Sequence, residues 1–134
     1  MATSPLAESP GESISRAVIE WCGFPAPTLQ EKHRVEGRLY RSDFCWPERR
    51  VIGEIDGWVK YGDTDAATGA EVVRAEKRRE DALRRHGWRF ARWDYAGALG
   101  VDALRGALLA AGLLPVRRPE AGALAFIVRN TRSR

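Results

Sequence analysis

The stretch from Leu39 to Lys60 constrains the fold most, because it reads as two strands around a tight turn. The first strand starts near Leu39–Tyr40 and ends at Trp46, and the second covers Arg50 to Asp56. Side chains alternate across a strand, so Arg41, Asp43 and Cys45 share one face of the first. Ile52, Glu54 and Asp56 share one face of the second. If the turn centres on Glu48–Arg49, Asp43 falls directly opposite Glu54. Opposed side chains have Cβ atoms roughly 4.5–5.5 Å apart, and like charges there are destabilising. Strands otherwise built of Phe, Trp, Val and Ile would not choose that pairing for stability. A hard divalent cation such as Mg²⁺ takes carboxylate oxygens and removes the conflict. The hairpin is therefore expected to be a metal site built on Asp43 and Glu54. Asp56 is either a third ligand or the residue that opens a turn before Gly57.

A chain of 134 residues is long enough for one core and too short for two. No apolar run approaches the roughly 18 residues that span a bilayer, and no secretory signal is evident. Cys22 and Cys45 form neither a metal nor a disulfide framework. The expectation is a soluble, cytoplasmic protein. Its 22 Lys and Arg against 18 Asp and Glu suit a nucleic-acid partner held through phosphates, and suit equally a solvated basic surface.

Taken in order, residues 1–12 mix Ser, Pro, Gly and Ala without periodicity and read as a flexible tail. Ile14, Val18 and Trp21 place a short helix over Ser13–Cys22, capped by Ser13 or Ser15 and ended by the Pro25–Pro27 segment. Leu29–Val35 reads as a first strand, before the central hairpin. The longest helix runs from about Ala66 to His86, with Val72, Glu76, Arg79 and Leu83 on one stripe and Gly87 at its C′ position. Trp88–Tyr95 reads as a fourth strand, with Trp88, Phe90 and Arg92 on one face. Gly100–Gly112 reads as an amphipathic helix. Residues 13–115 form the expected domain, and 116–134 a linker and C-terminal tail whose apolar run Ala123–Val128 is an edge strand or a partner-packing segment. Three strands, a helix and a fourth strand make an α/β mixed sheet flanked by helices.

Three blocks resemble the PD-(D/E)xK nucleases, in the branch of the very-short-patch repair endonucleases and their small relatives. Arg41-Ser-Asp-Phe44 is similar to their Arg-Pro-Asp-Phe, and Glu54-Ile-Asp-Gly57 to the Glu-x-Asp-Gly of the relatives. The segment Glu76 to Phe90 resembles their helix-to-strand passage. The likeness covers about Leu29 to Tyr95. It implies a restriction-endonuclease-like αβββαβ core and a DNA endonuclease that hydrolyses phosphodiester bonds with Mg²⁺, or Mn²⁺ in its place. Two departures bear on the site. The usual catalytic lysine, two residues beyond the Glu, is Asp56 here, and Lys60 stands where the repair enzymes carry histidines.

The implied catalytic set is Asp43, Glu54, Asp56 and Lys60, with Asp43, Glu54 and Asp56 on the metal. Glu76 and Lys77 are candidates to support it from the helix, although a salt bridge to an arginine serves Glu76 as well, and Lys77 suits a solvated face. DNA is the expected partner. The alternative is a catalytically impaired module of the same fold that binds DNA or a toxin–antitoxin type protein partner. His33 and His86 lack partner spacing for zinc or a triad, and Trp58, Trp88 and Trp93 suit a core better than base stacking.

Overall fold

A computed structural model describes residues 9–56 and 66–132. Helix α1 spans Pro10–Trp21, strand β1 Thr28–Val35 and strand β2 Arg38–Trp46. A single 3₁₀ turn, Pro47–Arg49, leads into β3, Val51–Asp56. Helix α2, Ala66–Arg85, crosses to β4, Arg89–Asp94. Helices α3 (Tyr95–Leu99), α4 (Asp102–Ala110) and α5 (Ala121–Arg132) complete the chain.

The four strands make one sheet in sequence order. β1 and β2 are antiparallel, as are β2 and β3, whereas β3 and β4 run parallel across the α2 connection. The hairpin register is the expected one, since Phe44 pairs with Gly53, Cys45 with Ile52 and Trp46 with Val51. Arg50, at φ 56°, closes the turn in the left-handed region. The α/β mixed sheet with flanking helices is thus present.

Alternation sorts the apolar residues onto two faces. Phe44, Trp46, Val51 and Trp93 join Val18, Ile19, Leu104, Leu108 and Leu113 in the larger core, under α1, α3, α4 and α5. Ile52 and Val35 meet Ala82 and Leu83 of α2 in a smaller cluster, with Tyr40, Trp88 and Phe90 packed against it. Cys22 and Cys45 are buried free thiols, and burial pushes Cys45 up to about 12.

Several boundaries depart from expectation. α1 begins inside the segment read as a tail, because Ser9 and Glu12 form a reciprocal capping box around Pro10 at N1. The helix expected over Gly100–Gly112 starts later and is preceded by the separate turn α3, whose N-cap Asp94 accepts a hydrogen bond from Gly97 N at 2.7 Å. The two helices are separated at Val101, which is buried with φ at 72°. The apolar run Ala123–Val128 is part of helix α5 and not an edge strand. Its Leu124 enters the larger core, with Ile127 and Val128 packed against it, so 116–134 carries a core-packing helix. On α2 the expected apolar stripe is buried at Leu83 alone, while Val72 and Val73 are 40% and 51% exposed.

Candidate functional site

The β2–β3 ladder ends at the Phe44–Gly53 pair, although β3 continues alongside β4 to Asp56 and β2 alongside β1 to Arg38. The two central strands therefore fork, and the first residues past the fork are Asp43 and Glu54. In place of a ladder bond, Ile55 N donates to Asp43 Oδ2 at 3.1 Å. That bond orients the Asp43 carboxylate, which also meets the Glu12 side chain of α1.

Asp43 and Glu54 line one polar cavity of about 330 Å³ beside α2. Tyr40 OH donates to Glu54 Oε2 at 2.5 Å, and Arg92 Nη1 lies 3.8 Å from Glu54 Oε1. Arg92 also donates to Glu80, which accepts from Arg84 Nε at 2.8 Å. A chain of alternating charge thus ties the sheet to α2. Arg41, Glu76 and Arg79 complete the cavity wall.

Electrostatics match this geometry. Burial pushes the Glu54 carboxyl up to about 7; the Tyr40 hydrogen bond opposes that rise, the Asp43 charge adds to it, Arg92 opposes it and Glu76 adds to it. Burial also raises Asp43, the Ile55 N–H pulls it back, and the Glu12 carboxylate of α1 raises it further. Burial, with Glu54 beside it, keeps the Tyr40 phenol protonated. Both acids, in one cavity, are thus held toward their protonated forms.

Of the expected site residues, the fold brings Asp43 and Glu54 together and sets Glu76 on the same wall. Asp56 does not join them. Its side chain is 61% exposed and lies 3.8 Å from Arg92, because β3 carries it beyond the cavity to the rim. Lys77 does not line the cavity; it is 77% exposed and lies 3.7 Å from Asp81. Lys60 lies outside the described residues. Among the described residues no group of three His, Cys, Asp or Glu side chains is disposed to hold a metal ion. Two carboxylates meet where three were expected.

The donor set still suits Mg²⁺ or Mn²⁺. Both donors are hard oxygens in one polar cavity, and Mg²⁺ commonly takes one or two carboxylates and completes its shell with water and substrate phosphate. Three residues escaped the sequence reading. Glu12 falls in the segment expected to be a tail, though Ser9 followed by Glu12 is a capping-box spacing. Arg92 follows Trp88 and Phe90 on one face of the stretch leading through β4, where a charge beside two aromatics is a signal in itself. Tyr40 differs from a core aromatic only through its hydroxyl. His33 and Trp93 are core groups, with His33 Nε2 3.0 Å from Ser42 Oγ and Trp93 Nε1 donating to Ser15 Oγ at 2.8 Å. His86, on the surface, lies 3.4 Å from Glu36. No protein-family model, no curated protein and no solved structure matches this chain.

Proposed function

We propose that the chain is a metal-dependent phosphodiesterase of the PD-(D/E)xK type acting on DNA, with Asp43 and Glu54 as its two metal-holding acids. The observation that carries this reading is the fork itself. An Asp and a Glu sit partly buried where two strands part, in a shared cavity, each raised from its ordinary value by burial. A core has no use for that pairing, and a divalent cation relieves it. Bound there, Mg²⁺ would supply Lewis acidity toward a phosphodiester and acidify a water.

The protein's own groups have definable roles. Ile55 N orients Asp43, and Tyr40 OH orients Glu54. Glu54, poised near neutrality, is suited to take the proton from water as its oxygen attacks phosphorus and the P–O bond to the leaving group breaks. Arg41 and Arg92 set positive charge beside the cavity, where the phosphate's negative charge is held. The cation expected from Lys60 is an addition to this set.

The test is Mg²⁺-dependent cleavage of plasmid and mismatched duplex DNA, with Asp43→Asn as the control. Cleavage is expected to fall at least about a hundredfold in the variant, on the scale of losing one group that stabilises transition-state charge. Equal nicking by variant and wild type would mean that the cavity performs no such chemistry. The exposed, ion-paired Asp56 at the usual lysine position favours a second reading, a module that binds DNA or a protein partner without cleaving. That module would bind duplex DNA in EDTA and stay inert in Mg²⁺.

A further inference from the structure

The cavity that holds Asp43 and Glu54 shares two wall residues, Tyr40 and Arg79, with a second cleft of about 340 Å³. Arg38, Arg78 and Arg85 line that cleft with Glu36 and Asp81. Both carboxylates are engaged, Glu36 by Arg85 at 2.7 Å and Asp81 by Lys77 at 3.7 Å. No ion pair among the described residues engages Arg38, Arg78 or Arg79. Arg79 carries a further mark: its Nε is buried and has no hydrogen-bond partner among the described residues.

Guanidinium groups are natural partners of phosphate oxygens, and Arg79 is the guanidinium-bearing residue that both cavities share. A lone phosphate ester would fill the first cavity and leave the second idle. A strand would fill both.

We infer that both cavities take one nucleic-acid strand, whose backbone passes over Arg79 from the Asp43–Glu54 cavity into the arginine-lined cleft. Arg79 binds the phosphate at the junction, and Arg78 and Arg38 carry the next ones. For its chemistry this path rests on the phosphodiesterase reading. For binding it stands alone.

Fluorescence anisotropy of a short labelled DNA, single-stranded and duplex, measures it on an Asp43→Asn background that keeps the probe intact. Adding Arg79→Ala is expected to weaken binding about tenfold near 0.1 M salt and to flatten the log–log salt slope by about 0.9, the loss of one phosphate contact. Arg79→Lys keeps the slope and recovers part of the affinity. Arg118→Ala, in the loop before α5, changes neither. Should Arg79→Ala fail to fold in a thermal melt, Arg79→Gln and the double variant Arg38→Ala with Arg78→Ala carry the same expectation. Unchanged affinity and slope in these variants overturn the inference, as does the absence of any DNA binding by the background protein. Binding that follows the expected pattern, in a wild-type protein that cleaves nothing in Mg²⁺, upholds the strand path and overturns the nuclease reading alone.

Discussion

With Tyr40 donating to one oxygen and Arg92 near the other, Glu54 still holds its proton up to about 7. Its folded value therefore lies above its ordinary one near 4.5. An acid shifted in that direction binds more protons folded than unfolded, so its contribution to stability is complete below about pH 4.5 and lost as pH rises through about 7. Asp43 is shifted the same way. The loss at Glu54 is of order 2–3 kcal/mol by linkage. Glu36 and Glu80 are lowered and act in the opposite sense, so the raw stability curve mixes both trends. A difference between two proteins isolates the residue. Metal-free Glu54→Gln is expected to gain stability relative to wild type by roughly 2 kcal/mol between pH 5 and pH 8. Denaturant melts in EDTA at those two values would read it. A difference independent of pH would mean that Glu54 is an ordinary surface carboxylate.

The hairpin depends on a residue with no side chain. A Cβ built on Gly53 would come within 2.8 Å of Trp93 Cη2 and 3.2 Å of Trp46 Cζ3. Phe44 stacks on the same Trp93 ring at 5.9 Å between centroids. Gly53 thus lets two tryptophans close over the last rung before the fork. Gly53→Ala forces those rings apart and is expected to cost about 1–3 kcal/mol, the range of an overpacked core. Because Glu54 follows directly, the proposed phosphodiesterase function predicts that the same variant also lowers Mg²⁺-dependent cleavage. A melt at wild-type temperature would show that the indoles shift freely.

The element scale is also where legibility in the sequence divides. The hairpin register was readable because a turn at Glu48–Arg49 and period-two alternation leave one pairing that buries Phe44, Val51 and Ile52. The fork was not, since it depends on a side chain, Asp43, taking a backbone N–H across strands. Nor was the exposed place of Asp56, because alternation gives it the same face as Glu54 and says nothing of how far the cavity extends along that face. The start of α1 was present in Ser9, Pro10 and Glu12, but a short segment rich in Pro and Ser outweighed the spacing. The division between α3 and α4 falls on Val101, a β-branched residue at positive φ, which no local preference anticipates. For α5, a short apolar run fits strand and helix alike. Only packing of Leu124 with Ile127 and Val128 on one side decides between them.

At the scale of the whole molecule, the two faces of the sheet divide the labour. The larger core, filled from α1, α3, α4 and α5, covers one face of the sheet. The smaller cluster fixes α2 only through Ala82 and Leu83, leaving its middle to border a polar cavity. A ligand in that cavity joins β2, β3 and α2, so its binding energy adds to the stability of the entire fold. For a metal held by Asp43 and Glu54, the gain at about ten times Kd is roughly 1.4 kcal/mol. For a domain of this size that amounts to a rise in melting temperature of about 3–6 °C. Glu54 must lose its proton before it can serve as a ligand, so the affinity of such a metal climbs with pH until Glu54 is ionised. Mg²⁺ is therefore expected to raise the melting temperature more at pH 8 than at pH 6, EDTA to reverse the rise, and Asp43→Asn to abolish it. A binding-only module would give the same melt with Mg²⁺ as with EDTA at both pH values, and would respond to DNA instead. That result would retire the catalytic reading while leaving the strand path over Arg79 to be judged by its own salt slope.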